Sequence, residues 1–116
     1  MRHQKKRNKI TKTKDQRKAI YRSMVSSLIL KEKIITTNTR AKKIKPFLEK
    51  CISRAKENSL ANRRLLLQYF TPKVVNKLFK ELSPRYKERK GGYSRIIKTD
   101  SRKNDSAKMA IIELIK

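Results

Sequence analysis

Few side chains in this sequence combine the types and spacing that catalysis requires. His3 is the only histidine, and its polar, basic surroundings offer no partner to hold it rigidly, as a Ser-His-Asp or Cys-His site demands. Asp100 and Asp105 bracket one short segment, where paired carboxylates could hold metal ions for nuclease chemistry. We favour the simpler interpretation that they belong to a polar hairpin loop. The sequence therefore predicts no enzyme activity and no metal or cofactor.

Cysteine and glycine are both rare in the chain. Cys51 is the only cysteine, which excludes an internal disulfide and a cysteine-based zinc site and suits a reducing compartment. We interpret it as a small core side chain, because it falls on an apolar helical stripe. The two glycines, Gly91 and Gly92, stand side by side and fit neither the dinucleotide-binding nor the P-loop spacing.

Basic residues dominate the composition and carry the functional prediction. The 116 residues include 34 Lys and Arg against 9 Asp and Glu, a formal net charge of +25. Such a surface repels itself and favours a polyanionic partner. Nucleic acid is the first candidate and an anionic membrane the second. Against the membrane, no apolar run is long enough to span a bilayer, and the basic N-terminal stretch has no apolar face to insert.

The basic residues form several clusters, at the N-terminus, at helical positions and around the glycines in "RKGGYSRIIK". Zinc fingers, basic zippers and the paired aromatics of single-strand RNA modules are not visible. We therefore expect recognition of phosphates and shape, as in folded RNA. The predicted RNA-binding residues are Arg2, His3, Lys5, Lys6, Arg7, Lys9, Lys12, Arg17, Lys18, Arg22, Arg40, Lys42, Lys43, Arg63, Arg64, Arg85, Arg89, Gly91, Gly92, Tyr93 and Arg95.

The glycine pair has two compatible interpretations. Structurally, a glycine after a helix permits a positive φ, and a second lets the chain turn at once into a strand that starts at Tyr93. Functionally, missing side chains let the backbone approach an RNA strand while Arg89 and Arg95 reach phosphates on either side. Both can hold, because a tight turn is a good place to meet a polyanion.

The positions of the clusters depend on helices predicted from apolar periodicity. A first helix begins near residue 15, and the β-branched residues 33–38 predict a short strand after it. Thr39 is expected to cap a second helix, in which Pro46 marks a kink or the true start. The stripe of the first helix is Ala19, Ile20, Met24, Val25 and Leu28; that of the second is Ala41, Ile44, Leu48, Cys51, Ile52 and Ala55.

Further helices are predicted in the following residues. Asn58 or Ser59 caps a third helix, and Thr71 caps a fourth with Pro72 in its first position. Ser83 is followed by a proline in the same way, so a further helical turn is expected to restart there. The third helix supplies Leu60, Leu66, Leu67 and Phe70 to the core, and the fourth supplies Val75, Leu78, Phe79 and Leu82.

Two strands complete the predicted fold, at residues 93–99 and 108–115, joined as an antiparallel hairpin by residues 100–105. The last run is apolar on both faces, which predicts a central strand. We therefore predict an α/β (α+β) chain with a three-stranded sheet packed by about four helices as a single globular domain, residues 15–116. Residues 1–14 form a basic RNA-binding extension, expected to be disordered when free and to order on phosphates.

Longer stretches of the sequence carry a family resemblance. They include "RKAIYRSM", "IITTNTRAKKIKPFLEKCISRAK", "ANRRL", "KLFKELSPRYKER", "GGYSRIIK" and "MAIIEL". In their order and spacing the chain resembles, almost end to end, the bacterial large-subunit ribosomal protein seventeen family. "IITT....AK" together with "GGY.RI" is the more specific part of the match.

The resemblance implies a two-layer α/β fold with a small mixed sheet, no enzyme activity and no metal. It also implies assembly on ribosomal RNA in the large subunit, near large-subunit proteins thirty-two and twenty-two. The ribosome would be cytoplasmic, with an organellar ribosome as the other possibility. Without the resemblance, the sequence does not clearly distinguish an RNA-binding protein from the alternative, a nucleoid-like protein that binds nucleic acid with little sequence preference.

Overall fold

The computed structural model describes residues 13–116. In these residues no helix is long and apolar enough to cross a membrane. One element is a π-helical segment, Leu78–Leu82. The other elements are α1 (Lys14–Lys31), β1 (Lys33–Thr37), α2 (Asn38–Lys56), α3 (Leu60–Leu67), α4 (Pro72–Lys77), α5 (Ser83–Arg85), β2 (Ser94–Lys98) and β3 (Met109–Leu114).

The sheet has the order β1-β3-β2, so the predicted central strand and the predicted hairpin are both confirmed. β3 pairs antiparallel with each neighbour. The mixed sheet implied by the resemblance is therefore corrected to an antiparallel one. The physical reason lies in the strand order: β1 and β2 run in the same direction, but β3 separates them, so they share no ladder.

The two faces of the sheet differ in what covers them. Ile112 at the centre of β3 is fully buried, and its cross-strand partners Ile34 and Ile96 pack against the core. One residue along, Ile111 pairs with Ile35 and Ile97, whose side chains are 66% and 42% exposed. Side chains alternate between the faces of a strand, so the helices cover the Ile112 face and leave the other open.

Helix α2 is the centre of the helical layer. It packs against all three strands and against α1, α3 and α5. Its predicted stripe is confirmed in full, since Ala41, Ile44, Leu48, Cys51, Ile52 and Ala55 are all buried. The predicted cap, Thr39, is wrong: Thr37 has extended backbone angles, and its hydroxyl accepts a hydrogen bond from the Arg40 amide at 3.4 Å. Pro46 lies inside the helix and does not start it.

Helix α1 buries only its C-terminal half. Thr13 caps it, and Val25, Leu28 and Ile29 are its buried residues. The predicted stripe is wrong at Ala19, which is exposed, because the first turns of α1 have too little of the described chain packed against them to bury an apolar face. At the other end, Glu32 adopts the left-handed conformation with φ 64° and ends the helix.

The short helices from α3 to α5 close the core. Ser59 caps α3 as predicted, through a 3.2 Å bond from the Asn62 amide. Leu66 and Phe70 are buried, but Leu60 and Leu67 are 63% and 42% exposed, because a helix of eight residues buries only one narrow stripe. The fourth-helix core residues are all buried as predicted: Val75, Leu78, Phe79 and Leu82.

A further helical turn begins at Ser83 as predicted, since α5 spans Ser83–Arg85. Ser83 does not cap this turn, because its own backbone is helical (φ −59°, ψ −50°). The Ser83 amide donates to the Leu78 carbonyl, five residues back, so the chain passes from α4 to α5 through a wider turn. At the start of this region Thr71 occupies the N-cap position before Pro72 as predicted, although its side chain makes no capping hydrogen bond.

Candidate nucleic-acid interface

The predicted RNA-binding residues divide between two parts of the chain. Fourteen lie within residues 13–116 and are distributed over α1, α2, α3, α5, β2 and the segment that leads into β2. The structure does not bring them together at one point, and several prove to have roles within the fold. Those outside the described residues are Arg2, His3, Lys5, Lys6, Arg7, Lys9 and Lys12.

The first turns of α2 carry the clearest group of available cations, Arg40, Lys42 and Lys43, which we call the α2 basic cluster. No acidic residue lies in the first turn of this helix. Lys42 and Lys43 are exposed, and within residues 13–116 none of the three is in an ion pair. The partial positive charge of the helix N-terminus adds to their field, so the cluster favours an anion.

A neighbouring cleft adds two cations that were not predicted. It lies between α1, β1 and the start of α2, has a volume of about 480 Å³, and includes Lys31, Lys33 and Arg40 in its lining. No described carboxylate lines it. Lys31 and Lys33 were missed because Glu32 stands between them and makes the stretch look balanced; the left-handed end of α1 turns that carboxylate to other partners.

Those partners form a compensated site, the Glu32 corner, made of Glu32, Lys77 and Arg85. The two guanidinium nitrogens of Arg85 donate to the two carboxylate oxygens of Glu32, both at 3.0 Å. Lys77 Nζ lies 3.3 Å from the same carboxylate. The hydrogen bond from Arg85 lowers the pKa of Glu32 to about 2. The charge of Arg85, a predicted RNA-binding residue, is thus compensated within the protein.

Other predicted arginines are partly engaged. The Arg22 guanidinium lies 4.8 Å from the Tyr69 ring centroid. Arg63 lies 4.9 Å from the Phe79 ring centroid and donates to Asn76 Oδ1 at 3.2 Å. Arg95 pairs with the Glu113 carboxylate across the β2–β3 ladder. Further members of the predicted set are Arg17, half-buried on α1, and the exposed Lys18 and Arg64.

The glycine turn is shaped by one positive φ. Gly92 has φ 65°, and a Cβ built on Gly91 or Gly92 would meet nothing within 4 Å. The Nε of Arg89 donates to the Gly91 carbonyl at 3.2 Å and to the Gly92 carbonyl at 3.0 Å, which braces the turn. The structural interpretation of the pair therefore applies to Gly92. The open space outside the backbone is compatible with a close approach by RNA.

Tyr93 is a correction to the predicted interface. Its side chain is 2% exposed, and its ring lies 5.1 Å from that of Tyr86. Lys56 Nζ donates to its hydroxyl at 3.0 Å, which lowers the pKa of Tyr93. The residue before β2 begins is thus part of the core, so its ring has no free face for a base.

Asp105 and Cys51, whose carboxylate and thiol could take part in chemistry, have structural roles in the fold. Asp105 accepts from the Ala107 amide at 3.1 Å and lies 3.4 Å from Arg102 Nε, as expected of a polar hairpin loop. Cys51 is a core side chain as predicted, and burial raises its thiol pKa to about 12. Within residues 13–116, no three His, Cys, Asp or Glu side chains are grouped to hold a metal.

Comparison with known proteins finds close relatives over nearly the whole chain. The family model for ribosomal protein L17 matches residues 20–115. A protein of Fusobacterium nucleatum named large ribosomal subunit protein bL17 is 49% identical over 99% of this chain and all of its own length. Proteins with the same name from Carboxydothermus hydrogenoformans and Natranaerobius thermophilus are 46% and 44% identical, each over 92% of this chain and 96% of their own.

Proposed function

The chain belongs to the ribosomal protein L17 family, and we propose that it is a structural constituent of the large ribosomal subunit that binds and stabilises folded ribosomal RNA through its basic residues. The observation that carries the proposal is the extent of the match. The Fusobacterium nucleatum relative aligns over its full length, so the whole body described above corresponds to a protein named for the large subunit.

The distribution of charge supports RNA as the partner. The four carboxylates in ion pairs within residues 13–116 are Glu32, Glu81, Asp105 and Glu113. With 34 Lys and Arg against 9 acids in the chain, most of the positive charge has no carboxylate to balance it. Neutralising phosphates releases their counterions, which is the main source of affinity for such a surface.

The contributions differ by region. The α2 basic cluster and the cleft beside it provide phosphate contacts on the folded body, and residues 1–14 provide further contacts as a basic extension. The sheet and the core beneath it hold these groups in place and carry out no reaction. We place the protein in a cytoplasmic or organellar ribosome, beside large-subunit proteins thirty-two and twenty-two.

Sedimentation tests the proposal. A lysate of cells that make the tagged full chain is separated on a sucrose gradient, and the chain is detected in each fraction. We expect it with large subunits and whole ribosomes, and we expect it to stay there after a moderate-salt wash. Recovery with nucleoid DNA or with membranes, and none with large subunits, would overturn the proposal.

A further inference from the structure

The partly exposed aromatic side chains converge on one place. Of the seven aromatics in the chain, Phe70, Phe79, Tyr86 and Tyr93 are buried. The three that keep part of their surface, Tyr21, Phe47 and Tyr69, all line a single cleft with Lys18 and Arg22. We call this the aromatic cleft. Such convergence is unexpected if these rings served only to fill the core.

Three separate elements build the aromatic cleft. Lys18, Tyr21 and Arg22 are spaced three and four residues apart on α1, so they share one helix face. Phe47 comes from α2, and Tyr69 follows α3. The Phe47 and Tyr69 rings meet edge to face at 6.1 Å, and buried Phe70 lies 6.0 Å behind Phe47. The core thus fixes the orientation of the aromatic wall.

The polar groups of the aromatic cleft remain available. Within residues 13–116 neither the Tyr21 nor the Tyr69 hydroxyl has a hydrogen-bond partner, and no described carboxylate lines the cleft. Arg22 is stacked over Tyr69 at 4.8 Å, which leaves its outer side to an anion or a π-surface. The volume, about 340 Å³, lies at the lower end of the roughly 300–1,000 Å³ of small-ligand sites.

We propose that the aromatic cleft binds one unpaired nucleobase of RNA, stacked among Tyr21, Phe47 and Tyr69, with its flanking phosphate held by Lys18 and Arg22. Aromatic rings beside cations are the arrangement that proteins use for bases turned out of a helix. The Tyr21 and Tyr69 hydroxyls can bond to the base edge. The inference rests on the proposed function, because it names the part of a folded RNA that this surface recognises.

Two RNAs test the inference directly. One is a fully paired hairpin, and the other is the same hairpin with a single bulged 5-iodouridine, a base that photo-crosslinks to stacked aromatic rings. We expect the full chain to prefer the bulged RNA and to crosslink at Tyr21, Phe47 or Tyr69. Tyr21→Leu and Tyr69→Leu should weaken binding of the bulged RNA by roughly five- to a hundredfold, and should leave binding of the paired RNA unchanged.

Matched variants guard against a folding artefact. Tyr21→Phe retains a ring and should keep most of the preference. Lys18→Ala changes an exposed side chain of the aromatic cleft and should weaken the bulged complex more than Lys80→Ala does, since Lys80 lies outside the cleft. Equal affinity for the two RNAs, or crosslinks only at other residues, would overturn the inference. Co-sedimentation with large subunits in that case would leave the proposed function standing.

Discussion

The Glu32 corner and the α2 basic cluster use the same kinds of side chain for opposite purposes. At the corner, Arg85 and Lys77 converge on one carboxylate at 3.0 and 3.3 Å. In the cluster, Arg40, Lys42 and Lys43 stand on the first turns of a helix without an acidic residue. One region has its charge balanced inside the protein, and the other presents it to the surroundings.

The placement of the few carboxylates therefore determines what each cation does. Glu32 links the end of α1 to α4 and α5, elements far from it in sequence. Its removal should therefore affect folding. Among residues 13–116 the α2 basic cluster makes no comparable link, so its removal should affect binding of the partner. Stability should therefore depend on the Glu32 corner, and RNA binding on the α2 basic cluster.

The largest expected effect is on RNA binding by the α2 basic cluster. Replacing Arg40, Lys42 and Lys43 together with alanine should lower the slope of log affinity against log salt by about 2.7, about 0.9 for each lost phosphate contact. Thermal unfolding should be nearly unchanged. Binding to a large-subunit RNA fragment across a salt series measures the slope.

A matched variant replaces three other exposed lysines, Lys73, Lys80 and Lys87, with alanine. Its slope should fall by less. If the slope of log affinity against log salt fell equally in both triple variants, RNA binding would depend on the total positive charge, and the α2 basic cluster would not be a distinct contact site.

Substitutions in the glycine turn test whether Gly91 and Gly92 are needed for the backbone conformation or for contact with RNA. Gly92→Val should lower the free energy of unfolding by about 1–3 kcal/mol, because a β-branched residue is strained at φ 65°. Gly91→Val should change it little, since a Cβ there meets nothing within 4 Å and the φ is not positive.

Urea unfolding of the two glycine variants measures the difference, and RNA binding completes the comparison. Weaker RNA binding by a stably folded Gly91→Val protein would favour close approach of RNA at the turn. If both variants fold and bind like the parent, both explanations of the glycine pair fail.

The Glu32 corner should contribute to stability and little to RNA affinity. We expect Glu32→Gln to lower the free energy of unfolding by about 1–2 kcal/mol, since it leaves Arg85 without its carboxylate partner and leaves Lys77 only the longer pair with Glu81. Glu81→Gln is the control, because Glu81 reaches only Lys77, at 3.8 Å, and is largely exposed. Equal denaturant midpoints for the two variants would contradict the assignment.

A smaller effect of the same corner is its pH dependence. The pKa of Glu32 is about 2 in the folded protein against an ordinary value of 4.5, so folding favours the charged form. Its stabilisation is complete above about pH 5 and is lost as the pH falls toward 2. The stability gap between the parent and the Glu32→Gln variant should narrow over that window. Denaturant unfolding at several acidic pH values measures it, and a constant gap would contradict the low pKa.

Sequence patterns predicted the fold correctly where the residues of a single helix or strand determine its structure. The stripe of α2 from Ala41 to Ala55 and the central position of β3 follow from periodicity, and the structure has both. The cap of α2 was misplaced by two residues, because Thr37 and Thr39 are both good caps and only the end of β1 selects between them. The exposed Ala19 was missed because the stripe extends beyond the region where α1 has a partner.

The candidate site depended more on contacts between distant residues. Arg85 and Glu32 are 53 residues apart, so no spacing rule links them. Tyr93 was included in the predicted RNA-binding set, but Lys56 from α2 and Tyr86 enclose it. Lys31 and Lys33 were overlooked because Glu32 stands between them in the sequence. In the structure the Glu32 carboxylate pairs with Lys77 and Arg85, so it does not compensate the charge of these two lysines. Counting charges predicted a polyanionic partner without distinguishing compensated from available cations.

Because Cys51 is buried, chemical labelling of its thiol can report when the native protein unfolds. With a pKa near 12 and a side chain that is 1% exposed, the thiol reacts with an alkylating reagent only when the core opens. Since no other cysteine competes in the 116 residues, the rate of labelling reports that opening without any engineered probe. The same protection means that oxidative cross-linking of newly made chains is confined to molecules that have yet to fold.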